Sequence, residues 1–287
     1  MPQSMRFGLF LAQHHHDWDS IVAEFQLADE LGYDHAWGHD HFLSTKRDDN
    51  GEGWMLEVWS VLAGVAAITS RVRLGVLVTG NTYRHPAMLA KQAVTVDHIS
   101  RGRLILGLGA GWHEREHEMF GYRFPSERER VDMFEEAVQV LDLLQTQERP
   151  TFEGRHYQLR EAIFEPKPVQ KPRIPLLVGT SGRRMMEITA RHADMWDTAA
   201  HTPDLDVRVR MFNEACERIG RDPESVRRCV HVAGAEAVSS EDAFREFVEK
   251  HRALGFTDFV TDLPPPDERD ALRRIATEVI PSLREQA

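Results

Sequence analysis

The chain is short of cysteine, of basic charge and of long apolar runs, and each shortage removes a class of function. Two cysteines in 287 residues, Cys216 and Cys229, stand isolated with no CxxC pair. The chain therefore reads as a reduced, intracellular protein of the cytoplasm. Lys and Arg number 35 against 46 Asp and Glu, a formal charge of −11. That balance argues against nucleic acid, whose phosphates demand a basic face. No stretch approaches the ~20 uninterrupted apolar residues of a membrane span. The opening MPQSMRFGLFLAQ is not expected to be a secretory signal, because its apolar run soon meets Gln13 and His14. No repeat of fixed period and no low-complexity tract appears.

What is there is alternation. β-rich runs fall at Met5–Leu11, Asp34–Gly38, Val72–Val78, Leu104–Gly109, Ile174–Gly179, Ala193–Thr198, Cys229–Gly234 and Phe256–Thr261. Amphipathic stretches follow them near Asp17–Gly32, Leu56–Ser70, Pro86–Ser100, Glu127–Leu144, Gly182–His192, Pro203–Gly220, Glu241–Leu254 and Pro266–Leu283. Val131, Phe134, Val138 and Leu141 recur at helical spacing. Asp17, Ser126 and Pro86 after His85 are plausible helix starts. Strict β-α alternation implies parallel strands with right-handed crossovers. Eight such units predict one α/β domain over residues 1–287, a closed (β/α)8 TIM barrel, with an open doubly wound sheet as the structural rival. The Pro-rich stretch at 149–175 is expected to be an insertion mainly on the barrel's N-terminal face, opposite the chemistry.

On a barrel, function is read just after each strand. Two turns there look like anion sites: Gly107-Leu108-Gly109-Ala110-Gly111, and Gly179-Thr180-Ser181-Gly182 ahead of a helix. Glycines let backbone N–H groups approach a phosphate, and a helix N-terminus adds favourable partial charge. Tight βα turns alone would also use glycine. Trp112 stands where a dinucleotide fingerprint needs glycine. The 15 histidines invite a metal reading, and His39-x-His41 with Asp262 resembles the ligand set of barrel hydrolases. That pair would close the first strand, whereas here it follows the second, and no lysine follows the fourth; no metal site is expected. Asp40-His41 instead suits an oriented acid/base pair, the carboxylate tuning the imidazole. His192 and His231 read as a helix-surface and a strand residue.

These residues carry a family likeness. The segments MRFGLFLAQH, LADELGYDHAWGHDHFL, the long run from SRVRLGVLVTG to GAGWHEREHEMFG, FEGRHYQL, PKPVQKPRIPLLVGTSGRR and ARHADMW resemble the bacterial luciferase-like superfamily, most closely its coenzyme F420-dependent branch. The likeness covers about residues 5 to 200 and loosens beyond. It implies that His41 lies beside a deazaflavin ring as proton donor or polariser, with Asp40 in the same motif. It also implies a non-proline cis peptide at Val76-Leu77 behind the ring, and Thr79 against the ring or ribityl chain. Ala110, Gly111 and Arg115, with Ser181, Gly182 and Arg184, match positions near the cofactor phosphate, and the turn reading adds Gly179 and Thr180 to the cofactor-binding set. Relatives that oxidise a sugar phosphate have glutamate where Trp112 stands, which points to a more apolar substrate.

The expected mechanism is hydride transfer between F420 and a small organic molecule. His41 would manage the proton, Asp40 would orient His41, and loop Thr45–Glu57 with Trp54 would close over the site. Trp54 and Trp112 are candidate substrate walls; ordinary anchoring on the barrel rim is the alternative. FMN could replace F420 in a monooxygenase fed by a flavin reductase, because both cofactors carry a ribityl phosphate. A metal-dependent hydrolase and a cofactor-binding protein without turnover are the remaining rivals. The resemblance further implies a homodimer served by an F420-reducing enzyme.

Overall fold

Eight parallel strands form a ring in which every strand pairs with its sequence neighbours. A computed structural model describes residues 3–45 and 53–285. The strands are β1 (Arg6–Phe10), β2 (His35–Gly38), β3 (Arg73–Val76), β4 (Leu104–Gly109), β5 (Leu176–Gly179), β6 (Met195–Ala199), β7 (Arg227–Val232) and β8 (Asp258–Asp262). Phe7 of β1 lies opposite Phe259 of β8, and Leu74 of β3 opposite Leu104 of β4, which closes the barrel. All eight expected runs are present, and closure excludes the open sheet. Strands buried on both faces, such as LILGLG in β4, need no polar alternation.

Helices α1 (Trp18–Glu30), α2 (Val58–Ile68), α3 (Pro86–Ile99), α4 (Glu114–Phe120), α5 (Glu127–Thr146), α6 (Arg183–His192), α7 (Leu205–Arg218) and α8 (Glu241–Arg252) wrap the ring. Asp17 and Ser126 cap α1 and α5, and Pro86 opens α3, as expected; His85 caps α3, and all three caps accept a first-turn amide. Val131, Phe134, Val138 and Leu141 face the barrel and are buried. The last stretch is not one helix. It runs through a 3₁₀ turn at Pro266–Glu268, α9 (Arg269–Arg274), a π-helical stretch at Ile275–Val279 and α10 (Ile280–Glu285). Helix α4 was not expected, and it proves central.

The core has two compartments. Helix–strand packing forms the larger one, while Trp37, Leu77, Ile105, Leu177, Met195, Cys229 and Val260 fill the barrel interior. The Pro-rich segment only partly keeps to the N-terminal face. Lys171 and Pro172 line a hollow there with the first residues of β1, β3 and β7. Its antiparallel hairpin, Phe152–Glu153 with Gln158–Leu159, instead lies along α5. Glu136 accepts the amides of Arg155, His156 and Tyr157, and Asn81 donates to the Tyr157 hydroxyl at 3.4 Å, just beyond β3. No helix of the described residues is long and apolar enough to cross a membrane.

Candidate active site

The C-terminal ends of the strands converge on a cavity of about 420 Å³. One wall carries His39, Asp40 and His41 from the turn after β2. The floor follows from an interruption in the third strand. β3 stops at Val76, and the chain resumes a two-residue strand, Thr79–Gly80, paired with Leu108 and Gly109 of β4. The peptide between Leu77 and Val78 is cis. The non-proline cis peptide therefore lies one residue later than Val76-Leu77: Leu77 and Val78 reach the cavity, while Val76 is wholly buried in the strand. A Cβ at Gly107 would sit 1.9 Å from the Val76 carbonyl oxygen, so β4 must carry glycine where it passes this kink.

His41 is not oriented by Asp40. Its Nδ1 lies 2.8 Å from Oε2 of Glu116, a fully buried carboxylate on α4. Glu116 also accepts the amides of Phe42 and Leu43 and the Tyr83 hydroxyl. Burial alone would raise its pKa, but the hydrogen bond and charge of His41, with Tyr83 and the Leu43 amide, hold it down to about 2. An ionised Glu116 can only accept, so the imidazole proton sits on Nδ1 and Nε2 is left for the cavity. Tyr83 is pushed up by burial and by Glu116, and so stays a donor.

Asp40 has a different task. Arg84 clamps it with two bonds of 2.7 and 2.9 Å, and Gly80 donates its amide at 3.0 Å. Burial drives the Asp40 carboxyl upward, with Arg84 and Gly80 pulling against it. Arg84 also reaches Glu57 at 2.6 Å. Asp40 thus pins the kinked strand and the start of α2 to the turn that presents His41. The physical reason is orientation: neighbours on an extended turn point to opposite sides, so a carboxylate next in sequence meets a different partner.

The expected positions separate into two groups. Leu77, Thr79, Ala110, Gly111, Trp112, Gly179, Thr180 and Ser181 line the cavity together with Asp40 and His41. Arg115 is exposed on α4, and Arg184 is ion-paired to Asp132 at 2.5 Å and Glu135 at 3.2 Å on α5. Gly182 caps α6 without a side-chain bond, so that helix begins with unpaired amides. Trp54 bridges Leu43 and meets His15 edge-on rather than lining the cavity. Residues 46–52 of the expected closing loop lie outside the described residues.

Sequence reasoning missed Glu116, Tyr83, Arg84 and the pair across the cavity, Asp197 and His231. His231 is more than a strand residue. Its Nδ1 lies 3.0 and 3.1 Å from the Asp197 carboxylate, and both line the cavity. Burial works against its charge, but Asp197 raises its pKa overall. His39, crowded by burial and by His41, is held well below its ordinary value. Among the described residues no group of three or more His, Cys, Asp or Glu could hold a metal ion. The local signal for Glu116 existed: His113 and Glu116 stand at the spacing of a helix cap and its third residue, and His113 accepts the Glu116 amide at 3.2 Å.

Known proteins share this architecture. An F420-dependent glucose-6-phosphate dehydrogenase of Kineococcus radiotolerans is 34% identical over 216 residues, 74% of this chain and 62% of that one. An F420-dependent hydroxymycolic acid dehydrogenase of Mycobacterium tuberculosis is 31% identical over 227 residues, 78% of this chain and 61% of that one. The chain thus spans less than two thirds of the length of these relatives. The structure of an F420-dependent secondary alcohol dehydrogenase with an F420-acetone adduct superposes with a TM-score of 0.86 at 20% identity, covering 98% of this chain and 99% of that one. Residues 5–282 match the luciferase-like monooxygenase family, and the chain belongs to it.

Proposed function

We propose that the chain is an oxidoreductase that moves a hydride between coenzyme F420 and a small organic substrate. The observation that carries this reading is the His41–Glu116 pair, set into a cavity whose floor is the kinked third strand. Two F420-dependent dehydrogenases among the relatives support the cofactor. The residues present fit such a group. Thr79 is wholly buried against the cavity with a hydroxyl that has no partner, a place for a ring or ribityl contact. The glycine turns after β4 and β5, with the open amides of α6, suit a phosphate.

The deazaflavin supplies a carbon centre that accepts or donates a hydride. His41 Nε2 gives or takes the accompanying proton at the substrate oxygen, and ionised Glu116 holds the imidazole and stabilises its positive charge. Asp40 and Arg84 keep the turn rigid. Trp112, its ring 5.4 Å from that of His41, supplies an apolar rim for the substrate. The working unit is a homodimer. Met88 and Ile99 of α3 and Ile68 of α2, all exposed in the single chain, support a face built from early helices.

Titration of the purified protein with F420 and with FMN tests the cofactor. F420 should bind tightly; FMN binding without F420 binding would transfer the protein to the FMN monooxygenases of its family. His41→Ala should abolish turnover while leaving F420 affinity within about threefold. Unchanged turnover removes His41 from the chemistry.

A further inference from the structure

At the end of the barrel away from the chemistry, the strand starts enclose a second hollow of about 360 Å³. Arg6 of β1, Arg73 of β3, Arg227 of β7, and Lys171 and Arg173 of the Pro-rich segment all line it, against one carboxylate, Asp194. In a chain of net charge −11 such a concentration of cations is unexpected. The carboxylates do not account for it. Asp194 accepts from Arg173 Nη1 at 2.6 Å and from the Leu176 amide at 2.7 Å. Arg227 is held by Asp258 at 2.8 Å. Among the described residues, Arg6, Arg73 and Lys171 have no carboxylate within ion-pair distance. Arg73 spends Nη2 on the Leu104 carbonyl and on Gln170 Oε1, yet its Nε–H is buried with no acceptor.

We infer that this hollow is a second ligand site, built for a multivalent oxyanion of the phosphate class. A buried donor without an acceptor destabilises the fold, and adjacent like charges add to that cost. A brace between strand starts would need neither the orphan Nε nor the unpaired Lys171. A phosphate group in the hollow would partner Arg6 and Lys171, which no carboxylate reaches, because a guanidinium binds its oxygens in pairs and a lysine adds a point charge. Burial and the nearby Arg6 push the Arg73 pKa below its ordinary value against the pull of Asp97 and Asp258, a burden that a bound anion would relieve. The hollow lies at the opposite end of the barrel from His41, so its ligand acts on stability or regulation rather than in the reaction.

Calorimetric titration with inorganic phosphate, pyrophosphate and glycerol 3-phosphate, against chloride at matched ionic strength, tests the inference. Pyrophosphate should bind and raise the unfolding midpoint by about 3 °C or more at a hundredfold excess over Kd. Tighter binding of glycerol 3-phosphate than of phosphate would identify an organic phosphate as the ligand, and the reverse order the free ion. Arg6→Gln and Lys171→Gln, at side chains with no internal hydrogen bond in the described structure, should each weaken pyrophosphate at least tenfold without lowering the ligand-free midpoint. A response equal to that of chloride overturns the site. So does undiminished binding in the double variant, which would assign the anion to the glycine turns at the other end.

Discussion

Glu116 holds the His41 imidazole and carries a charge whose worth to the fold depends on pH. It is wholly buried, is bonded to His41, Tyr83 and two amides, and is depressed from 4.5 to about 2. A carboxylate lowered on folding stabilises the protein above its unfolded pKa, and that contribution fades as pH falls through the folded one. Glu116→Gln should therefore melt well below the parent at pH 7, with the gap closing between about pH 4.5 and 2. Parallel melts that stay equally far apart at every pH would refute this. Arg84 gives a contrasting case. Arg84→Met leaves Asp40 buried without its partner, at a cost of roughly 3–5 kcal/mol. Since burial raises Asp40, protonation relieves the variant, and its deficit in chemical denaturation should shrink as pH falls.

At the scale of elements, α4 is the piece that sequence patterning did not reveal. EREHEMF is seven residues long and mostly charged, too short for an apolar period to register. The eight strands were legible as short apolar runs between turns, and the long helices because each repeats an apolar face. The glycine turns were legible by residue type, although only Gly111 has a left-handed backbone, and Gly107 and Gly109 are there because a Cβ would strike Val76 and Val78. Asp40-His41 was found by type and place, but its orienting partner was not, since Glu116 is 75 residues away and only the fold unites them. Gly111 ties α4 down. It has φ +87°, and a Cβ there would lie 2.5 Å from the Thr82 hydroxyl, which bonds His117 of α4 at 2.7 Å. Gly111→Ala should cost at least about 1 kcal/mol from backbone conformation alone. It should also loosen α4, seen as faster amide exchange at Glu116 and His117 than in the rest of the barrel.

For the whole molecule, closure is what counts. The family likeness reads most strongly over the first two thirds, yet β1 pairs with β8 and β6 with β7, so the last third completes the ring. A fragment ending at Ala200 would expose an edge on β1 and another on β6, together with the apolar face that covers Phe259. It should show no cooperative melt by circular dichroism and should aggregate; a sharp transition would contradict a single folding unit. The ring also sorts its six tryptophans. Trp37, Trp59 and Trp196 are sealed in the packed layers, whereas Trp18, Trp54 and Trp112 are on the outside. Trp112 alone of the six stands on the cavity wall. The protein therefore carries its own optical gauge. A chromophore settling beside His41 would drain emission from Trp112 by energy transfer, and a Trp112→Phe variant would show how much of the quenching belongs to that indole.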